Sequence, residues 1–283
     1  MDKIEVAIYD DPFAYKSRDL MVGAARLTQR AEKITDMSDL RHLLSKSAKP
    51  ETVKNMSMLP HNNIRCFGTI TLLIVGASRR FLAQITRRRI GVTFCSGSLQ
   101  YSDYSNKGEF VVPYEIMEKD FERYGNAELE QGYYTRNYLK TCKQAMAEYE
   151  ALVDLGLDND TAGYVAPQAL RNILIVDATP QAWIEMIKQR ICRRNTAETR
   201  YVILRCWEQL WALDPIMFSP EVCLPDCAWG RCPEGHMCCG RPYVEAHRTR
   251  KDVCIPSEII AEDFPIIEFN NTDFTYQEEE VYE

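Results

Sequence analysis

ITLLIVGASRRFLAQITRRRIGVTFCSGSLQY, residues 70 to 101, is the stretch whose reading decides the fold. It opens on Ile, Leu, Val and Thr in a run of strand length, so residues 65–75 are expected to form a buried β-strand. Gly76-Ala77-Ser78 breaks the pattern, and residues 79–86 read as a short helix that delivers Arg87-Arg88-Arg89 into a loop. Three guanidinium groups in succession need an anion or full solvation to be tolerated. A basic turn placed after a buried strand and a short helix is therefore a candidate anion-binding device.

Working outward, residues 4–9 alternate and run into Asp10-Asp11-Pro12, a strand ended by a turn. Residues 19–32 place Met21, Ala24, Ala25 and Leu27 at helical spacing. Residues 126–155 read as a long helix with Tyr138, Leu139, Cys142, Met146, Tyr149 and Leu152 on one side. Pro167 suits the first turn of another short helix, and residues 173–176 form a strand. Pro180 opens a helix reaching Cys192. Residues 196–213 make another, with Ile203, Cys206, Leu210 and Leu213 as its inner face, and Pro215 ends it. Helices set between few strands, without an internal repeat, give an α/β (α+β) domain.

The 283 residues suffice for a substantial core, and the 46% apolar and 27% charged composition is ordinary for a globular chain. No apolar run approaches the roughly 20 residues of a membrane span. The acidic N-terminus lacks an apolar signal core, so a cytoplasmic protein is expected. The net charge of −7 is concentrated at the end, where residues 258–283 hold nine acids and no Lys or Arg. The body is nearly neutral, which speaks against general nucleic-acid binding. The sequence divides into a main domain (1–220), a Cys-rich cap (221–256) and an acidic tail (257–283). The tail reads as solvated and partly disordered, with the apolar pairs Ile266-Ile267 and Phe264 with Phe269 able to dock on a neighbouring surface.

Six of the eleven cysteines cluster late, at Cys223, Cys227, Cys232, Cys238, Cys239 and Cys254. Without a secretory signal, such clustering argues for metal or tight thiol packing over a disulfide framework. Cys227, Cys232, Cys238 and Cys239, with His236 nearby, could supply four ligands to a structural zinc ion. The alternative is a thiol-rich cap packed on the final helix.

Taken together, three stretches resemble the flavin-dependent thymidylate synthase family. The first carries His61 and then Ser78-Arg79, Gln84, Arg87-Arg88-Arg89 and Ser98-Leu99-Gln100-Tyr101. The family pattern there is a Ser-Arg helix start, Gln-x-x-Arg-His-Arg and a Ser-x-Arg-Tyr loop. The second stretch, residues 162–200, is similar to the family's Ala-Arg-x-x-Leu-Pro segment, a strand, and a helix ending in arginine, here Arg190. The third, CAWGRCPEGHMCCG at 227–240, is similar to an ending found in one branch of the family.

The resemblance implies a twisted, largely antiparallel central sheet flanked by helices, with a Cys-rich C-terminal extension. It implies a homotetramer whose sites are built across subunits. The implied reaction moves a methylene group from methylenetetrahydrofolate to C5 of dUMP, with FAD supplying the hydride and NADPH re-reducing the flavin. It assigns Arg87, Arg88, Arg89 and Ile90 to FAD. Gln84, Arg87, Ser98, Gln100 and Arg190 fall to dUMP, with Arg190 catalytic at the uracil edge. The chemistry needs such groups: a phosphate calls for bidentate guanidinium donors, and C5 is a poor nucleophile until the ring carbonyls are polarised.

The pattern also breaks. Arg88 stands where the family has histidine, Gln100 where it has arginine, and Gly163 where an arginine meets the nucleotide phosphate. Cys66 and Phe67 make the wall near His61 more apolar, and Thr179-Pro180-Gln181 replaces an Asn-x-Arg that contacts FAD. Arg88 and Arg171 are candidates to replace the lost phosphate contacts. Two readings follow: a working synthase, whose substrate could be another deoxypyrimidine monophosphate, or a degenerate subunit that assembles with an intact partner.

Overall fold

The computed structural model describes residues 3–9, 17–59, 61–125, 132–228, 232–239 and 254–266. Among them lie four strands, β1 (Glu5–Ile8), β2 (Ile70–Ser78), β3 (Val92–Ser96) and β4 (Arg171–Ala178). The helices are α1 (Ser17–Arg30), α2 (Met37–Leu44), α3 (Pro50–Ser57), α4 (Arg79–Ile85), α5 (Tyr114–Tyr124) and α6 (Tyr133–Asp154). They continue as α7 (Asn159–Ala162), α8 (Pro180–Arg190), α9 (Ala197–Leu213), α10 (Pro220–Cys223) and α11 (Pro256–Asp263).

The strands form one antiparallel sheet in the order β1-β2-β4-β3, flanked by helices. Alternation sets the layers. Leu72 and Ile74 on β2 and Leu174 and Val176 on β4 are buried against the helices, while Ile173 and Ile175 on the other side of β4 stay exposed. Helix α9 packs on β1 and β2 and also contacts α8, α5 and α11, which makes it the centre of the core. Trp183 of α8 is buried beneath the sheet with its indole N–H donating to the Ile70 carbonyl at 2.9 Å.

Strand β2 differs from expectation at both ends. It begins at Ile70, because Arg65 belongs to a preceding 3-10 turn (Asn62–Cys66), where its buried guanidinium donates to the Ser57 carbonyl and to Asn62. At the other end Gly76 does not stop the strand. The register shifts between Val75 and Ala77, so Gly76 forms a β-bulge and pairing continues to Ser78. Its φ is +84°, and a Cβ there would lie 2.2 Å from the Lys3 carbonyl oxygen, so only glycine fits.

Helices α2, α3 and α5 and strand β3 are elements that the periodicity did not announce. The helix expected at Pro167 is a turn instead, and its segment is held by pairing of Phe110 with Leu170. The long helix begins at Tyr133 and is capped across the chain: the buried Asp120 carboxylate accepts from the backbone N–H groups of Tyr134 and Thr135 at 3.0 and 2.8 Å. Residues 10–12, 126–131 and 267–283, which carried the expected turn, helix start and tail, lie outside the described residues.

The first part of the acidic tail is not solvated. Helix α11 lies on α9, and Asp263 is buried between Arg193 and Arg200, at 2.5 and 2.9 Å. Phe264 stacks edge-on against Tyr114 and Tyr201, with the Arg200 guanidinium 5.0 Å from its ring centroid. Removing the carboxylate would leave Arg200 as an uncompensated, largely buried cation. Asp263→Ala is expected to cost about 3 kcal/mol of unfolding free energy. Arg193→Ala, whose side chain is 35% exposed, should cost about 1 kcal/mol or less; urea midpoints check both.

Candidate active site

Ser78 ends β2 and caps α4, its hydroxyl accepting from the Phe81 N–H at 3.1 Å. The same hydroxyl donates to Glu198 at 2.5 Å, and the Ser78 N–H donates to the other Glu198 oxygen at 2.6 Å. Helix α4 buries Phe81 and Ile85 and stops at Thr86, after which the chain emerges as Arg87-Arg88-Arg89. Gly91 returns it to the sheet: the Thr179 N–H donates to the Gly91 carbonyl at 2.9 Å. That bond sets the arginine turn against the first turn of α8, a helix N-terminus that favours anions.

One open cleft of about 650 Å³ results, lined by Asn62, Cys66, residues 87–91, Thr179, Gln181, Ala182, Glu185, Gln189 and Arg190. Its volume falls within the range of small-molecule sites. The triplet and Arg190, just over a hundred residues apart in sequence, therefore converge. Burial lowers the Arg190 pKa below the ordinary guanidinium value, and the Arg87 and Arg88 cations push it the same way. Arg190 is held by donation to the Gln84 carbonyl at 3.1 Å and to the Asn195 side chain at 3.2 Å.

Arg88, at the family's histidine position, is ion-paired with Glu185. Glu185 also accepts from the Gln181 amide at 2.6 Å, and the Gln181 carbonyl accepts from Arg65 Nε at 2.6 Å. Burial pushes the Glu185 pKa up, but the hydrogen bonds from Gln181 and Arg88 outweigh it and leave the carboxyl below its usual range. Arg88 Nε is buried without a partner, a leftover donor at the cleft wall. Among the described residues neither Arg87 nor Arg89 has an ion-pair partner. Ile90, 83% exposed, forms the rim.

The other expected residues lie elsewhere. Gln84 sits behind Arg190, with its Oε1 accepting from Thr199 at 2.7 Å, so it supports that arginine and does not line the cleft. Val92 pairs with Ala178 and Ser96 with Leu174, which places Ser98 beyond the opposite end of β3. Ser98 is thus roughly 20 Å along the strand from the start of β3 beside the triplet. There its hydroxyl accepts from the Gln100 N–H at 3.1 Å. Gly163 lies at that same end, where an added Cβ would touch Leu99 at 3.3 Å. Arg171 is not a spare phosphate ligand: it is 2% exposed and donates to the Gly76 carbonyl at 2.5 Å. Among the described residues no group of three His, Cys, Asp or Glu side chains is arranged as a metal ion needs.

Glu185, Gln189 and Asn62 were missed by the sequence reading. The signal existed in part, since Gln181, Glu185 and Gln189 recur every fourth residue on a helix whose other positions are mostly buried and apolar.

Residues 13–216 match the family described as thymidylate synthase complementing protein. The chain is 27% identical over 234 residues to the flavin-dependent thymidylate synthase of Geobacter sulfurreducens, covering 82% of this chain and 92% of that one. It is 27% identical over 180 residues to the enzyme of the same name from Pyrococcus furiosus, covering 62% and 68%. Among solved structures it resembles thymidylate synthase X from Helicobacter pylori with FAD and dUMP (TM-score 0.56, 16% identity, 77% and 99% coverage). It also resembles a UMP/dUMP methylase from Streptomyces cacaoi bound with 5-Br dUMP (TM-score 0.55, 18% identity, 77% and 94% coverage). At such identities the two structures speak for the fold. Among the described residues no helix is long and apolar enough to cross a membrane.

Glu185→Gln is expected to cost about 1–2 kcal/mol of stability, since it leaves the half-buried Arg88 charge uncompensated in partial solvent. The sign with pH follows from the lowered carboxyl. The wild-type advantage is fully present above the unfolded value of 4.5 and is lost as pH falls through the lower folded value. Thermal melts of both proteins between neutral pH and pH 3 check it.

Proposed function

This chain belongs to the thymidylate synthase complementing protein family, and from that premise we propose that it is a flavin-dependent enzyme that reductively methylates dUMP, or a closely related deoxypyrimidine monophosphate, at C5. The observation that carries the reading is the convergence of Arg87, Arg88, Arg89 and Arg190 on one cleft beside a helix N-terminus. Four guanidinium groups facing a single carboxylate suit a ligand bearing phosphate or pyrophosphate.

The residues fit FAD on their own chemistry. Arg87 and Arg89, without an ion-pair partner among the described residues, offer cations to a pyrophosphate, the unsatisfied Arg88 Nε offers a donor, and Ile90 with Ala182 offers apolar surface to a ring. FAD when bound supplies the hydride chemistry, with NADPH as its reductant and methylenetetrahydrofolate as the carbon donor. Arg190 stands at the uracil edge in this reading, where a fixed cation polarises the ring carbonyls and makes C5 more nucleophilic. Its contacts with Asn195 and the Gln84 carbonyl fix the guanidinium in the cleft, which supports that role. Ser98, Gln100 and Gly163, at the far end of β3, suit a site completed across subunits, in a homotetramer where one copy brings the serine loop to another's arginine cleft.

One observation favours a second reading. The residue at the histidine position is bound to Glu185, so a subunit that keeps the fold and relies on an intact partner is the alternative. Spectroscopy separates the two. The purified chain, after addition of FAD, is expected to show flavin absorption bands and to release the C5 proton of dUMP when NADPH is present. A chain that stays colourless and inert under those conditions sinks the first reading. Arg190→Ala is expected to lower turnover about 100-fold or more with little loss of flavin. Arg87→Ala with Arg89→Ala should instead lose the flavin bands.

A further inference from the structure

Away from the cleft, five half-exposed cysteines gather where the Cys-rich segment crosses the loop between α8 and α9. The Cys192 thiol hydrogen-bonds with that of Cys239, the Cys232 thiol with that of Cys238, and Cys227 lies close to Cys192, Cys232 and Cys239. The remaining six cysteines are either buried or stand on separate elements. A second contact seats the segment on the loop: Arg194 Nε donates to the Met237 carbonyl at 2.7 Å, and its guanidinium lies 3.9 Å from the Met237 sulfur. Two thiol–thiol hydrogen bonds thus single out two pairs within a cluster of five.

Two pairs of neighbouring, partly exposed free thiols are candidates for disulfide closure. We propose that Cys192–Cys239 and Cys232–Cys238 are dithiol pairs that a low-molecular-weight disulfide oxidant closes, the first link fastening the Cys-rich segment to the α8–α9 loop. In each closure one cysteine, as thiolate, attacks the oxidant's S–S bond and expels one small thiol. The second cysteine gives up its proton and displaces the other small thiol from the mixed disulfide. One S–S bond forms in the protein and one breaks in the oxidant, which carries away two electrons and two protons. The place matters because Cys192 is two residues beyond Arg190 and three before Asn195, the residue that holds it. Closure therefore restrains the loop that positions Arg190, and it stands independently of which pyrimidine the cleft takes.

The test equilibrates the purified full-length chain with glutathione buffers of rising disulfide content, alkylates the remaining thiols and maps the peptides. Both links are expected together, before buried Cys142, Cys206 or Cys223 reacts. The unfolding temperature should rise on oxidation, and Cys192→Ser should remove the first link and much of that rise while leaving the second. Should Cys192→Ser fail to fold, Cys239→Ser gives the same comparison. Cys192 that stays alkylatable in the most oxidising buffer, or that bridges elsewhere, overturns the proposal. So does a stoichiometric zinc ion that copurifies and is released by Cys192→Ser, because the thiols would then be ligands.

Discussion

Glu198 carries its carboxylate into the interior, 7% exposed, and accepts both the hydroxyl and the backbone N–H of Ser78 there. Taking a carboxylate out of water is costly unless its oxygens are satisfied. Burial drives its pKa up even though the Ser78 bonds and the nearby Arg171 cation pull it down. The interaction locks the end of β2 to the first turn of α9, and the arginine geometry follows. From that corner α4 runs a fixed length and releases the triplet. From the same turn of α9, Thr199 holds Gln84, whose carbonyl in turn receives Arg190. Two arginine groups distant in sequence are thus referred to one buried anchor.

The triplet's extra cation shows how a cleft absorbs a change of charge. Arg88 is not left to solvent; Glu185 neutralises it, and Gln181 joins that carboxylate to Arg65 on the far side of α8. Gln181 has one workable orientation, carbonyl toward Arg65 and amide toward Glu185, so the relay is directional. The cation is tolerated because the face of α8 carries an acceptor at the right spacing.

Much of this was legible from residues alone. The runs around residues 70–75 and 173–176 announced the central strands, since buried β-branched residues leave few alternatives. The convergence of 87–89 with Arg190 was readable through the family pattern, not through periodicity. What escaped was set by tertiary context. Strand β3 holds only five residues with Phe94 as its one large apolar side chain, and α2 and α3 are each eight residues long, too short for their period to register. Gly76 read as a stop because a local rule cannot tell a strand end from a bulge; pairing on both sides decides. Ser98 and Gln100 read as neighbours of the triplet because sequence distance hides the direction of an intervening strand.

The surplus of guanidinium over carboxylate around the cleft has a consequence for how anything enters it. Four cations against one anion in an open cleft attract small anions from the surrounding solution. Binding of the phosphorylated ligand proposed above would then be an exchange, in which the mixing entropy of departing chloride or inorganic phosphate forms part of the driving force. The ionic composition of the surrounding solution is therefore itself a competitor at this cleft.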